Sequence, residues 1–151
     1  GKTQDAKNLP VIMMMHNCAY VATASTAFME DLYAKLDRAI EASKRGFAYL
    51  HIYSPCTTGW RFPSKDNIEV ARKAVETNFV MLWEFDPAGG LRLTRPVDDP
   101  LPLADYLKAQ GKYRHLSSEQ LAHIEAGVAR QTAFIKGLER KAPAGRAIAA
   151  D

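Results

Sequence analysis

The densest chemistry in the chain lies in the stretch Ser54-Pro-Cys-Thr-Thr-Gly-Trp-Arg-Phe-Pro63. Pro55 and Pro63 stiffen its ends, and Gly59 permits close backbone approach. Thr57, Thr58 and the loop amides offer donors to an anion or to cluster sulfides. Three uses are open to the Cys56 sulfur. A free cysteine is most often a small buried hydrophobe. As a nucleophile it needs a base, and His51, back along a strand, falls on the opposite face by parity. His16 could reach it only by tertiary contact. As an iron–sulfur ligand it needs partner cysteines from elsewhere. Cys18 has no glycine or proline beside it and reads as a buried thiol. Two cysteines make no disulfide scaffold and cannot close a tetrahedral metal site alone.

The other reactive residue types are poorly placed for chemistry. His16, His51, His115 and His123 include no pair with zincin or zinc-finger spacing, and the sequence has no GxGxxG, no Walker loop and no Asp-rich metal loop. His51 reads as a hydrogen-bonded structural residue, Met13 to Met15 as core filler, and Trp83 as packing. Trp60 reads as packing too, although its place inside the loop would let it wall a site.

Positioning such a loop requires a frame, and the apolar pattern is that of an α/β fold. Strands are expected at 19–24, 47–53 and 79–85. They begin about 30 residues apart, as in βαβ units, so a mostly parallel sheet with right-handed crossovers follows. The second and third runs are nearly continuous, the pattern of strands covered on both faces. The Cys56 loop then sits at the carboxyl end of a strand, where open α/β sheets bind ligands.

The intervening segments read as helices. Thr26 is the expected N-cap of the first, with Leu32, Leu36 and Ile40 on its buried face and Gly46 as a left-handed stop. Asp66 and Glu69 suggest a capping box for the next, with Ile68, Ala71 and Val75 facing inward and Asn78 ending it. The run from Leu9 is either a short helix capped by Asn8 or a buried strand. A turn at 86–90, a short strand at 91–94, a short helix at 103–110 and a long one at 118–141 complete the chain. Leu121, Ile124, Val128, Ile135 and Leu138 form the long helix's apolar stripe.

Composition sets the outer bounds. The 151 residues are 47% hydrophobic and 25% charged, values of a globular domain rather than a disordered chain. Net charge is only +3, with no basic face of the kind that binds nucleic acid. Lys136, Arg140, Lys141 and Arg146 read as a solvated helix end. No apolar run reaches the ~18 residues of a membrane span, and no secretory signal is visible, so a reducing cytoplasm is the expected compartment.

Leu9-Pro10, Tyr20-Val-Ala-Thr-Ala-Ser25, Glu30-Asp-Leu32, Tyr49-Leu-His-Ile52 and Pro55-Cys-Thr-Thr-Gly-Trp60 together resemble one family. It is the β subunit of 2-oxoacid:acceptor oxidoreductases, the pyruvate:ferredoxin oxidoreductase family that also contains phenylglyoxylate dehydrogenases. Ala71, Val75-Glu76-Thr77, Trp83-Glu84-Phe85, Pro96-Val97 and Tyr106-Leu107-Lys108-x-Gln110-Gly111-Lys-Tyr113 continue the resemblance, over about residues 7 to 116.

The resemblance implies a thiamine-diphosphate-binding α/β domain, of which this chain is the C-terminal half (residues 1–116), followed by a helical C-terminal extension (117–151). It implies a [4Fe–4S] cluster held by four cysteines, the last of which maps onto Cys56. The other three, and the G-D-G motif that binds magnesium and diphosphate, lie earlier in the family sequence. Cys56 is therefore the one cofactor-binding and metal-ligating residue expected here, and no catalytic residue is assigned. A piece of a longer subunit, inactive alone, is the expectation. The implied reaction is CoA-dependent oxidative decarboxylation of pyruvate or a related or aryl 2-oxoacid. Electrons pass through the cluster to ferredoxin or NAD, in a complex with other subunits. The competing readings are a non-catalytic interaction module and a thiamine enzyme without a cluster.

Overall fold

The computed structural model describes residues 7–139. Four strands, β1 (Tyr20–Ser25), β2 (Ala48–Tyr53), β3 (Leu82–Asp86) and β4 (Gly90–Arg95), form one sheet in the order β2-β1-β3-β4. β1 is buried along its whole length. Among the described residues six α-helices accompany the sheet: α1 (Leu9–Met14), α2 (Met29–Ser43), α3 (Thr57–Trp60), α4 (Asn67–Glu76), α5 (Leu103–Lys108) and α6 (Ser118–Leu138). Among the described residues no helix is long and apolar enough to cross a membrane.

The α/β class is as expected, but the sheet is mixed rather than mostly parallel. β1 and β2 run parallel, with Tyr20 opposite Ala48 and Ser25 opposite Tyr53. β3 enters antiparallel to β1, with Val21 opposite Phe85, and pairs antiparallel with β4. An apolar run records that a strand is buried, not which way it points, and an interval of about 30 residues accommodates either direction. The turn ahead of Gly90, which takes φ 77°, folds β4 back on β3 as a hairpin. β3 also starts later than expected, because Phe79 leaves the strand to stack on Tyr106, ring centroids 4.7 Å apart.

Burial corrects two further expectations. Among the described residues β2 is at the sheet edge, and its continuous apolar run is not covered on both faces, since His51 and Ile52 are exposed. On α2 the buried positions are Leu32, Lys35, Ala39 and Ala42. Ile40, expected inside, is 63% exposed. The small alanines let the helix approach the sheet, and a lysine occupies the position that periodicity gave to Leu36.

The helix ends also differ in part. Phe28, not Thr26, occupies the N-cap of α2 and makes no side-chain cap bond. Gly46 does not take the left-handed conformation; a Cβ there would stand 3.4 Å from the Ala19 Cβ, so its small size suits contact with the strand entry. No capping box forms at Asp66, because Glu69 turns to Lys73, 2.8 Å away. Ile68, expected to face inward, is exposed, while Val70 and Ala74 join Ala71 and Val75 inside. Asn78 does end α4, with φ 57°, and its amide donates to the Val97 carbonyl at 3.1 Å. The ambiguous run from Leu9 is a helix, capped by the Asn8 side chain. Ser117 and Gln120 form a capping box at the start of α6. Leu121, Ile124 and Val128 pack toward Phe62 and Tyr106, whereas Ile135 packs toward Trp83 and Leu93. Lys136 pairs with Asp98 at 3.0 Å; Arg140, Lys141 and Arg146 lie outside the described residues.

A buried carboxylate ties four elements together. Glu84, on β3, accepts from the Tyr20 hydroxyl at 2.7 Å and from Arg38 of α2 at 2.8 Å, and also pairs with Arg92 of β4. Burial pushes its pKa up, but the bonds from Tyr20 and Arg92 and the charges of Arg92 and Arg38 outweigh this, leaving it below the ordinary glutamate value. The sign follows from linkage. The stabilisation is complete above the ordinary pKa of ~4.3 and is lost as pH falls from there through the lowered value. Glu84→Gln is expected to cost about 1.5–3 kcal/mol at pH 7 and to flatten the acid limb of stability against pH. Urea melts from pH 3 to pH 7 would read this; an unchanged acid limb would count against it.

Candidate functional site

The site grows from the end of β2. After Tyr53 the chain turns through Pro55, whose carbonyl accepts from the Asn67 amide at 3.3 Å. Cys56 follows in extended conformation (φ −101°) as the N-cap of α3, and its Sγ accepts the Gly59 N–H at 3.3 Å. The thiol is exposed, so the commonest fate of a free cysteine, burial as a small hydrophobe, is not its fate here. Gly59 suits this arrangement, since a Cβ at that position would stand 3.2 Å from the sulfur. The loop therefore presents a soft donor atom to solvent with an amide dipole directed at it.

The far side of the loop is clamped. Helix α3 stops after one turn because Arg61 takes a left-handed conformation, φ 58°, a costly state for a non-glycine residue. Gly111 holds it there, donating its N–H to the Arg61 carbonyl at 3.1 Å. A Cβ on Gly111 would meet the Arg61 Cβ at 2.7 Å and its carbonyl oxygen at 2.8 Å. Only glycine allows that approach. Phe62 and Tyr106 then anchor the loop in the apolar cluster that includes Leu103 and Leu107.

Aromatic rings pave the space between loop and clamp. Trp60 packs on Tyr53 with centroids 5.8 Å apart, and the Tyr53 and Tyr106 hydroxyls are hydrogen-bonded at 2.5 Å. Burial, with the neighbouring phenol, pushes Tyr53 far up, and burial pushes Tyr106 up to about 12. Both phenols stay protonated at neutral pH. Lys112 lies over this pavement, its Nζ 3.5 Å from the Trp60 centroid and 4.7 Å from that of Tyr113. Burial draws its pKa down to about 8, while the charge of Cys56 acts in the opposite sense.

The remaining candidates separate from this cluster. Cys18 is buried, and its thiol donates to the Met13 carbonyl at 3.1 Å, as a structural thiol would. His51 is joined to Tyr49 at 3.1 Å. It faces a cavity of about 620 Å³ between the sheet and α6, whose lining also includes Tyr53, Trp83 and His123 but not Cys56. Met13 and Met14 pack on the core, whereas Met15 is exposed. Trp83 is buried packing, and Trp60 packs on Tyr53 beside the Cys56 loop, as expected. Among the described residues no three His, Cys, Asp or Glu side chains converge for a metal ion. Sequence reasoning missed Arg61, Gly111 and Lys112. The segment Gln110-Gly111-Lys112-Tyr113 was visible as a motif, but nothing in its composition said which loop it would meet.

Comparison with known proteins bears out the resemblance. No family model matches the chain. It is 68% identical over 145 residues to the β subunit of NADH-dependent phenylglyoxylate dehydrogenase from Aromatoleum evansii, covering 96% of this chain and 32% of that protein. It is 44% identical over 126 residues to pyruvate synthase subunit PorB of Methanothermobacter thermautotrophicus, covering 83% and 42%. Ketoisovalerate oxidoreductase subunit VorB of Pyrococcus furiosus is 33% identical over 128 residues, covering 84% and 40%. The chain thus spans roughly a third to two fifths of the length of the curated relatives it matches. Those relatives are subunits of oxidoreductases whose names specify three different 2-oxoacids.

Proposed function

We propose that this homologue of 2-oxoacid oxidoreductase subunits is the C-terminal portion of a β subunit in a CoA-acylating complex, and that Cys56 supplies one thiolate of a [4Fe–4S] cluster. One observation carries the reading. Cys56 is the exposed cysteine, at the carboxyl edge of a strand, with an amide N–H on its sulfur. A thiolate ligand needs that access, and N–H donors to sulfur are among the features that tune such clusters.

The donor set fits a cluster in kind and supplies one part of it. Cys56 is a soft sulfur donor in a rigid loop, and Gly59 leaves the sulfur unobstructed on the helix side. Cys18, buried and bonded to a backbone carbonyl, is not a second ligand. The other three thiolates would come from the part of the family sequence that carries them. Thiamine diphosphate and magnesium would be held by the family's G-D-G segment, a motif this sequence does not contain, so none of residues 7–139 is assigned to them. The bound groups would supply a carbanion-stabilising electron sink and a one-electron outlet beside it.

What this chain's own residues do is hold the loop. Gly111 locks Arg61 so that Cys56 stays at the strand edge, and Trp60 on Tyr53, with Tyr53 bonded to buried Tyr106, backs the loop's inner side. The overall conversion would be 2-oxoacid plus CoA to acyl-CoA, carbon dioxide, two electrons and one proton. Ferredoxin or NAD would take the electrons through partner subunits.

The assembled complex, purified without oxygen, is expected to reduce a viologen dye in the presence of CoA and one of pyruvate, phenylglyoxylate or 2-ketoisovalerate. A complex that reduces the dye with none of them and carries no iron would overturn the proposal.

A further inference from the structure

Lys112 brings a positive charge against the Cys56 loop. Its stem is partly buried, and its ammonium is held between two aromatic faces, at 3.5 Å from Trp60 and 4.7 Å from Tyr113. Such contacts attract an ammonium to the ring face, the more so when it is desolvated, so the charge is fixed rather than swinging in solvent. Trp60 belongs to the single helical turn that Cys56 caps. Lys112 itself follows Gly111, the residue whose N–H is bonded to Arg61 at the end of the same turn. The ammonium thus lies against the indole of the turn that Cys56 opens, and the Trp60 N–H is bonded to the Cys56 carbonyl at 2.9 Å, so charge and sulfur belong to one rigid unit.

We infer that Lys112 is a positioning residue for electron transfer, a fixed positive charge that acts through the Cys56 sulfur to raise the reduction potential of the cluster. This rests on the reading of Cys56 as a cluster ligand. Reduction adds one electron, drawn from the 2-oxoacid in turnover, and so one unit of negative charge to the cluster. A nearby cation stabilises that reduced state, and burial strengthens the effect by lowering the local dielectric. The aromatic faces hold the charge in place without neutralising it, which a carboxylate partner would do.

The test is an EPR-monitored redox titration of the assembled complex carrying Lys112→Met. Iron and acid-labile sulfide should match the unsubstituted complex. The midpoint should move to more negative potential by up to a tenfold change in the reduction equilibrium, about 59 mV for one electron. Lys112→Arg should restore it. A Lys112→Met complex with full iron and an unmoved midpoint would overturn the inference. Should Lys112→Met shed iron, Lys112→Gln is read in the same way. Loss of iron in both, with iron kept in Lys112→Arg, would mean that the side chain merely holds the loop, and the inference would fall. If Cys56→Ala leaves iron unchanged, the functional reading itself fails; if Cys56→Ala loses iron and only the Lys112 midpoint is unmoved, this inference alone fails.

Discussion

Cys56→Ala in the assembled complex is expected to remove one cluster's worth of iron, together with its EPR signal, and to abolish 2-oxoacid-dependent dye reduction. The loss should exceed the 10- to 100-fold that follows removal of groups merely orienting a ligand, because the ligand itself is gone. The fold should survive the change. Cys56 is exposed, its sulfur accepts a hydrogen bond from the Gly59 N–H, and an amide at a helix start can turn to water. The loop's anchors, Arg61 on Gly111 and Phe62 in the apolar cluster, lie beyond the substituted atom. Cys18→Ala is the matched control. It should leave iron untouched and cost only packing around a buried thiol. Iron analysis and circular dichroism on both variants read the contrast. Equal iron in Cys56→Ala and the unsubstituted complex would remove the sulfur from the cluster's shell.

Lys35→Met is expected to give the largest loss of stability. Lys35 is 0% exposed. Its ammonium donates to Asp31 at 2.6 Å, to the Thr23 carbonyl at 2.8 Å and to the Thr94 hydroxyl at 2.7 Å. One side chain thus joins α2 to β1 and reaches β4. Burial lowers its pKa, although the neighbouring Asp31 carboxylate opposes this, so the desolvation penalty is not fully recovered by the pairing. That is the situation in which removing one partner and removing both have different consequences. The single substitution leaves Asp31 uncompensated at the edge of the core and should cost about 3–5 kcal/mol. Adding Asp31→Leu should recover much of that loss, since an apolar pair of similar volume is often neutral. Thermal unfolding of the single and double variants checks the coupling. Additive losses would show that the ion pair is not the source.

The loop that carries Cys56 could be picked out from the chain of letters because its signals are local. Proline on both sides of the loop, a glycine three residues after the cysteine, and a strand-like run before it all act within a few residues. Asn8 and Asn78 were legible for the same reason: a cap or a left-handed stop is chosen by the residue that adopts it. The failures share the opposite cause. Asp66 and Glu69 had capping-box spacing, but Glu69 found Lys73. Leu32, Leu36 and Ile40 had helical spacing, but the sheet took Lys35 and two alanines and left Ile40 in water. An amphipathic pattern names an apolar stripe only to within one neighbouring row, and the partner surface decides which row is buried.

The order of apolar runs was enough to determine an α/β chain with its loop chemistry at a strand end, since burial and turn formation depend on residues near one another in sequence. Strand direction, the edge position of β2, the burial of Lys35 and the meeting of Gly111 with Arg61 were decided only in three dimensions. Each joins segments far apart along the chain, and hydrogen-bond register and close backbone contact between distant segments leave little trace in the letters of either one. The same holds for the ammonium over Trp60, which lies 52 residues from Lys112 in sequence and 3.5 Å from it in space.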